Sequence, residues 1–134
     1  MGKCGNPVET AYFCDMAKSA PLVAVVLLNW NGQHWLERFL ESVLQTNYPN
    51  LKVVLGDNAS SDQSVSWART HFPTVEIIQN DKNYGFAGGY NRILEHVKAD
   101  YYVLLNTDVE VPANWLQPMI ELIESKPTIA AVQP

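Results

Sequence analysis

Two aspartates stand where separate β-strands are predicted to end, and their placement is the feature of the chain best suited to chemistry. Asp57 follows the apolar run Leu51–Leu55, and Asp108 follows the run Tyr101–Leu105. In an open parallel sheet, ligands bind in the crevice beyond the carboxyl ends of the strands. Carboxylates at that edge can hold a sugar hydroxyl or a base edge, and they can bind a divalent cation. The pair therefore predicts one binding crevice, provided that the strands are parallel.

The spacing of the two aspartates assigns them different tasks. If the first predicted strand is central, with the second and fourth on either side of it, Asp57 and Asp108 lie two strand spacings apart, roughly 10 Å. An ion whose oxygen ligands sit at about 2.0–2.6 Å cannot contact both. The gap suits a nucleotide lying across the crevice, with its nucleoside near Asp57 and its diphosphate near Asp108.

Composition restricts the class of protein. A chain of 134 residues with 47% hydrophobic and 17% charged residues can bury one core and is expected to fold. Its net charge of −5 argues against a nucleic-acid partner, which requires a basic face. A phosphate-bearing ligand remains compatible with this charge if a metal ion neutralises it.

Residues 1–20 are predicted to be a weakly structured extension, and residues 21–134 to be the folded domain. Cys4 and Cys14 both lie in the extension, and two cysteines supply neither a zinc site nor a disulfide framework. The extension lacks the basic start and apolar run of a signal peptide. The sequence contains no run of about 18 apolar residues, so no transmembrane segment is predicted. We therefore expect a cytoplasmic protein.

Strand and helix patterns alternate along the domain. Apolar runs predict strands at 22–28, 51–55, 75–78, 101–105 and 129–132, and helical spacings predict helices at 35–44, 60–71, 86–97 and from Pro118 onward. Ser60 and Gln63 match a capping box at the start of the second helix. Because no hairpin turn joins consecutive strands, the prediction is an α/β fold with a doubly wound, mostly parallel sheet and helices on both faces.

Several polar residues at the strand ends also have purely structural interpretations. Asp57 and Asn58 can form an Asx turn into the next helix, and Asn106–Asp108 can be a polar turn. Asn29 and Asn31 can cap the first helix.

Two glycines in the first turn of the third helix need a reason. Gly88 and Gly89 cost up to about 1 kcal/mol each relative to alanine. Close approach of a ligand would explain them, and so would tight packing against a neighbouring strand. Among the tryptophans, which are more often core or rim residues, Trp30 is the candidate ligand platform because it falls in a strand-end loop.

Taken together, these segments resemble family 2 glycosyltransferases of the GT-A fold, especially the rhamnosyltransferase-like branch. The likeness covers residues 21–134. It rests on four motifs in the family's order, Val25–Gly32 (VVLLNWNG), Gly56–Asp62 (GDNASSD), Asn83–Asn91 (NYGFAGGYN) and Leu104–Val109 (LLNTDV).

The resemblance implies a role for each matching residue. Asp57, with Asn58 beside it, would recognise the base or ribose of the donor. Asn29 and Asn31 would border the nucleotide from the loop after the first strand. The residues that would close over the nucleotide are Gly88, Gly89 and Asn91.

The resemblance also implies a metal site. Asn106–Asp108 takes the place of the family's Asp-any-Asp motif, whose last acid binds Mn²⁺ or Mg²⁺ on the donor diphosphate. Here the first acid is an asparagine, a weaker ligand for a hard cation, so Asp108 would provide most of the binding. The metal would stabilise charge on the departing nucleoside diphosphate.

By resemblance, the function is sugar transfer in polysaccharide or cell-envelope glycan synthesis by an inverting, metal-dependent enzyme. The donor would be a UDP- or dTDP-sugar and the acceptor a glycan or lipid-linked hydroxyl, at a cytoplasmic or inner-membrane-face location. Family members are longer, and their second half supplies the acceptor site and the catalytic carboxylate. The resemblance therefore leaves the catalytic residue unknown, and the chain alone is expected to bind the donor weakly without turnover.

Two other classes compete with this interpretation. A phospho-acceptor receiver domain would need an acidic pair after the first strand, where Asn29 and Asn31 stand, and a lysine after the fifth, where Gln133 stands. A non-catalytic nucleotide-binding or assembly module of the same fold is the stronger alternative. An unpaired sheet edge would also favour self-association into a homo-oligomer.

Overall fold

The computed structural model describes residues 20–134, so the predicted extension lies outside the described residues, apart from Ala20. The strands are β1 (Val23–Asn29), β2 (Leu51–Asp57), β3 (Glu76–Gln79) and β4 (Tyr101–Leu105), and the helices are α1 (Gln33–Leu44), α2 (Ser64–His71), α3 (Gly85–Leu94) and α4 (Leu116–Ser125). Within this range, no helix combines the length and apolar character needed to cross a membrane.

The four strands form one parallel sheet in the order β3-β2-β1-β4. The predicted central position of β1 between β2 and β4 is therefore confirmed. In register, Asn29 lies beside Asp57 and Leu27 lies beside Leu105. All carboxyl ends share one edge of the sheet, which is the condition for a common crevice.

Helices cover both faces of the sheet, as the sequence predicts. Alternate residues of a strand point to opposite faces. On one face, Val25 and Leu27 pack against Leu36 and Leu40 of α1. On the other face, Val26 packs against the side of α3 that carries Tyr90 and Ile93. The continuous apolar run of β1 follows from this burial on both sides.

Two glycines allow α3 to lie very close to the sheet. A Cβ atom added to Gly56 of β2 would come within 2.6 Å of Cγ1 of Ile93. One added to Gly89 of α3 would come within 2.9 Å of Cδ2 of Leu28 and 3.0 Å of Nδ2 of Asn58. Packing of helix on strand, rather than a ligand, thus accounts for Gly89.

The predicted fifth strand at 129–132 is wrong. These residues take no strand conformation, and no strand follows β4 within residues 20–134. A strand forms only beside a partner, and these residues do not pair with β4. The β4 side chains Tyr102 and Leu104 are 45% and 53% exposed.

Helix boundaries differ from the predicted ones by a few residues. Ser60 does not cap α2, because that helix begins at Ser64 with Gln63 before it and without a side-chain cap. α3 ends at Leu94 rather than at 97. Beyond Leu94 the chain makes a tighter turn, in which the Val97 N–H donates a hydrogen bond to the Leu94 carbonyl three residues back. α4 begins two residues before Pro118, which still leaves that proline in the first turn, where its missing N–H is not needed.

Substitution of Gly89 tests this close packing. Gly89→Ala should lower the free energy of unfolding by about 1–3 kcal/mol, because the new methyl group overpacks a rigid contact with Leu28 and Asn58. Gly88→Ala is the matched control, since the same change one residue earlier meets only Cβ of Tyr84, at 3.2 Å. Urea denaturation of both variants measures the difference. Equal stability of the two would contradict the packing explanation.

Candidate functional site

A cleft opens at the carboxyl ends of β1, β2 and β4. Its volume is about 360 Å³. The lining is aromatic or neutral and polar, and it contains no charged side chain. The lining residues are Leu28, Trp30, Asn31, Gly32, Trp35, Asn58, Asn83, Gly85, Phe86 and Thr107.

A buried polar cluster of Asn29, Asp57, Ser60 and Ser64 holds together the loops that follow β1 and β2. Nδ2 of Asn29 lies 3.0 Å from Oδ1 of Asp57, 3.1 Å from Oγ of Ser60 and 2.8 Å from Oγ of Ser64. The Ser60 backbone N–H donates to Oδ2 of Asp57. Register makes this cluster possible, because β1 and β2 end side by side at Asn29 and Asp57.

The burial of the cluster determines whether its side chains can reach the cleft. Asp57 is fully buried and Asn29 is 1% exposed, and neither lines the cleft. Both oxygens of Asp57 accept hydrogen bonds inside the cluster. Oδ1 of Asn29 is buried and has no partner within residues 20–134. In this structure the cluster fixes the loops beneath the cleft, and its two key residues do not face the cleft.

Asn31 is the turning point of the loop after β1. Its φ of 50° lies in the left-handed region, which asparagine tolerates better than most residues. Its Oδ1 accepts hydrogen bonds from the backbone N–H groups of Ser61 and Asp62. This contact ties the loop after β1 to the loop after β2 at the edge of the cleft.

Asp62 links the starts of α1 and α2. Its carboxylate accepts hydrogen bonds from the backbone N–H of Gln33 and from the N–H and hydroxyl of Ser64. Burial by itself would raise the pKa of Asp62, but the hydrogen bonds from Ser64 and Gln33 outweigh it and the pKa is lowered. The carboxylate is therefore held in its charged, hydrogen-bond-accepting form.

Asn58 holds the loop before α3 against the sheet. Its Nδ2 donates to Oδ1 of Asn83 and to the Gly85 carbonyl, at 2.8 and 3.0 Å. Its Oδ1 accepts from Nδ2 of Asn80 and from the backbone N–H of Tyr84. All four hydrogen-bonding positions of this amide are thus occupied. Asn58 borders the cleft mainly as a brace.

Three large aromatic side chains around the cleft are unusually exposed. Trp30, Trp35 and Phe86 are 59%, 37% and 68% exposed. They come from the loop after β1, from α1 and from the first turn of α3. Aromatic faces open to solvent beside a cleft are suited to stacking on a flat ring. Sequence reasoning selected only Trp30 among them.

The predicted metal-binding motif lies just beyond β4. Thr107 lines the cleft, whereas Asn106 and Asp108 on either side of it are exposed. Across residues 20–134, no three histidine, cysteine, aspartate or glutamate side chains gather into a metal-binding group. A cation at this motif would therefore depend on ligand oxygens in addition to Asp108.

The structure brings only some of the predicted site residues to the cleft. Asn31 and Asn58 line it, Asn29 and Asp57 lie in the cluster beneath, and Asp108 and Asn106 lie outside it. Gly88, Gly89 and Asn91 belong to α3 and are not lining residues.

Besides Trp35, the lining residues with polar or aromatic side chains that were not selected from the sequence are Asn83, Phe86 and Thr107. All three lie within the quoted motifs, so the motifs themselves were the available signal. They line one cleft because two loops and a helix start converge in space.

Comparison with known proteins gives a consistent family. The profile of the family described as Glycosyl transferase family 2 matches residues 24–134. The chain is 22% identical over 118 residues to an uncharacterized glycosyltransferase of Haemophilus influenzae, covering 86% of this chain and 36% of that protein. It is 26% identical over 109 residues to the UDP-Glc:alpha-D-GlcNAc-diphosphoundecaprenol beta-1,3-glucosyltransferase WfgD of Escherichia coli, covering 76% and 41% respectively.

A solved structure shows the same architecture. The mannosyltransferase PcManGT from Pyrobaculum calidifontis, in complex with GDP-Man and Mn²⁺, superposes with a TM-score of 0.74 at 25% identity. The match covers 87% of this chain and 37% of that one. The chain thus spans well under half the length of these three proteins.

Replacing Asn29 with aspartate tests the buried cluster. The new carboxylate would face Asp57 at about the distance where two buried acids cannot both ionise. Asn29→Asp should therefore lower the free energy of unfolding by roughly 3–5 kcal/mol near neutral pH. The added carboxyl has a raised pKa in the folded state, so the folded protein binds more protons, and stability should fall as pH rises from about 4 to about 7.

Urea denaturation at several pH values measures this effect. Asn114→Asp is the control, because Asn114 is an exposed residue whose Oδ1 accepts one side-chain hydrogen bond, from Asn47. If both variants unfold alike at every pH, the cluster does not constrain the fold as described.

Proposed function

Because the chain belongs to glycosyl transferase family 2, we propose that it is the donor-binding part of an enzyme that transfers a sugar from a nucleoside diphosphate to an acceptor hydroxyl. One observation carries this proposal: the cleft lies at the carboxyl ends of parallel strands, where such folds bind nucleotides. Thr107 connects the cleft to the exposed Asp108.

The charge distribution supports a placement for each part of the donor. The cleft lining is neutral and aromatic, which suits a base and a ribose but offers nothing to neutralise a diphosphate. The exposed ring of Trp30 can stack on the base, since every base has a flat π-face. The diphosphate would extend toward Asp108. A nucleotide sugar, GDP-Man, is bound in PcManGT, the structural neighbour.

Asp108 and Asn106 fit a role in holding Mn²⁺ or Mg²⁺. Magnesium-like cations are often bound through one or two carboxylates together with substrate phosphates rather than by a full protein cage. One exposed carboxylate with a nearby amide oxygen matches that pattern. When bound, the cation would neutralise charge on the departing nucleoside diphosphate. The Mn²⁺ in PcManGT supports this assignment.

Inversion at the sugar carbon requires a base that deprotonates the acceptor. No carboxylate or histidine lines the cleft, and Glu110, the acid after Asp108, is not a lining residue either. We therefore expect residues 20–134 by themselves to bind a donor but not to transfer its sugar.

The acceptor side of the reaction is assigned by analogy. The name of WfgD includes a diphosphoundecaprenol-linked sugar, which supports a glycan or lipid-linked acceptor in cell-envelope glycan synthesis. Four finer points remain predictions. They are a UDP- or dTDP-sugar as the donor, membership of the rhamnosyltransferase-like branch, location at the inner membrane face, and association through the exposed edge of β4.

A non-catalytic module derived from the same fold is the second candidate. The burial of Asp57 favours it, because the residue expected to read the base is occupied within the protein. Such a module would bind nucleotides without dependence on a metal, or would not bind them.

Metal-dependent nucleotide binding separates these candidates. UDP, dTDP, GDP and their sugars should raise the unfolding temperature more with Mn²⁺ than without it, because binding stabilises the folded state by mass action. Asp108→Ala should abolish the Mn²⁺-dependent part. Glu110→Ala, a change of the same type at an exposed acid two residues on, should keep it.

Calorimetric titration gives the corresponding affinities. Absence of binding by any of these nucleotides at millimolar concentration would rule out the donor-binding function. Binding that is indifferent to Mn²⁺ and to Asp108 would favour the non-catalytic module.

A further inference from the structure

We propose that the loop Asn80–Phe86 forms the second wall of the cleft and selects the base of the donor. The Asn83 amide would donate a hydrogen bond to a carbonyl oxygen of the base, and the ring of Phe86 would pack on its face. This inference rests on the proposed function and identifies Asn83 and Phe86 as specificity-determining residues.

The hydrogen bonds of Asn83 fix which end of its amide remains for a ligand. Its Oδ1 accepts from the backbone N–H of Gly85 at 2.8 Å and from Nδ2 of Asn58 at 2.8 Å. A backbone N–H can only donate, so the atom facing Gly85 must be the oxygen. Nδ2 of Asn83 is then left as a donor, without a partner within residues 20–134, in a residue that lines the cleft.

Asn31, in the loop after β1, has the same arrangement of its amide. Its Oδ1 accepts from the backbone N–H groups of Ser61 and Asp62, at 2.7 and 3.2 Å. The oxygen is again fixed by backbone donors, and Nδ2 is the remaining group of a lining residue. Both residues therefore line the cleft with an amide N–H₂ group that has no partner within residues 20–134. The third lining amide, Asn58, has no free capacity.

Backbone geometry brings Phe86 to the cleft. Gly85 has a φ of 71°, a left-handed conformation that favours glycine, and it begins α3. This turn directs Phe86 outward, where its ring is 68% exposed and rests edge-on against Tyr90, with ring centroids 5.1 Å apart. An exposed ring supported from one side gains contact area when a flat ligand covers it.

Two amide donors in one cleft favour a base edge rich in acceptors. Uracil carries carbonyl oxygens on both sides of its N3–H, whereas cytosine replaces one of them with an amino group. An amino group facing an amide N–H leaves two donors without acceptors, which costs binding free energy where the bound base shields them from water. The cleft should therefore prefer a base bearing carbonyl groups. UDP and CDP form the sharpest comparison, because they differ only at that edge.

Asn83→Asp tests the donor without disturbing the loop. The carboxylate keeps an oxygen for Gly85 and Asn58 but replaces the N–H₂ group with an acceptor. The wild-type chain should bind UDP roughly tenfold more tightly than CDP, and this ratio should fall to near one in Asn83→Asp. The ratio cancels any effect of the added charge on the shared diphosphate. Asn114→Asp, outside the cleft, should keep the wild-type ratio.

Phe86→Ala is the second test variant and examines the stacking contact. Stacking does not depend on the base edge, so this variant should weaken UDP and CDP alike, by at least about fivefold, and leave their ratio unchanged. Phe86→Tyr should restore the affinity. The unfolding temperatures of all variants check that the fold is intact.

The outcomes distinguish the two levels of inference. If no nucleoside diphosphate binds, the proposed function fails and the base selection fails with it. If UDP and CDP bind equally, or if Asn83→Asp leaves their ratio unchanged, only the base selection by this loop is overturned. Unchanged affinity in Phe86→Ala would remove the ring from the site.

Discussion

The bond between the Asn29 amide and the Asp57 carboxylate is the interaction on which the site depends. It joins the ends of two neighbouring strands at 3.0 Å, where both side chains are almost wholly shielded from water. Burying a carboxylate is costly unless hydrogen bonds compensate it, and here Ser60 and Asn29 supply them. The same contacts hold the loops after β1 and β2 in one arrangement.

Above this cluster lies a cleft with a neutral lining, and the nearby acidic residue lies apart from that lining. The walls come from the loops after all four strands, and their side chains are mainly rings and amides without net charge. The acidic residue Asp108 lies outside, at the end of β4. A ligand with one neutral, flat end and one anionic end would match this separation once a divalent cation on Asp108 neutralises the anionic end. A nucleotide sugar has that construction, and the family assignment agrees with it.

Much of the architecture could be predicted from local pattern. The uninterrupted apolar run of β1 and the alternation of strand and helix led to a parallel sheet with β1 in the centre, which is confirmed. Pattern alone failed at 129–132, because an apolar run becomes a strand only when a neighbouring strand accepts its hydrogen bonds. Pattern also wrongly assigned Ser60 as a helix cap. Its hydroxyl oxygen instead accepts hydrogen bonds from the Asn29 side-chain amide and from the Asn31 backbone N–H.

The site was less predictable than the fold, for a physical reason. Motifs indicated the correct loops, but they could not tell which side chain turns inward. Register places Asn29 beside Asp57, and their mutual hydrogen bond withdraws both from the cleft. Asn83 and Phe86 reach the cleft only because Asn58 fixes their loop, a contact between residues 25 apart in sequence. Contacts between residues so far apart in sequence produce no local periodicity from which they could be predicted.

Chemical-shift mapping by NMR of the ¹⁵N-labelled chain during titration with UDP and Mg²⁺ is the most direct test of where the nucleotide binds. We expect the largest backbone shifts together at Trp30, Asn31, Phe86 and Thr107, with a smaller change at Asp57 beneath them. Shifts confined to the groove between β4 and α4, for example at Leu104 and Met119, would show that the nucleotide binds elsewhere and would contradict the assignment of the cleft.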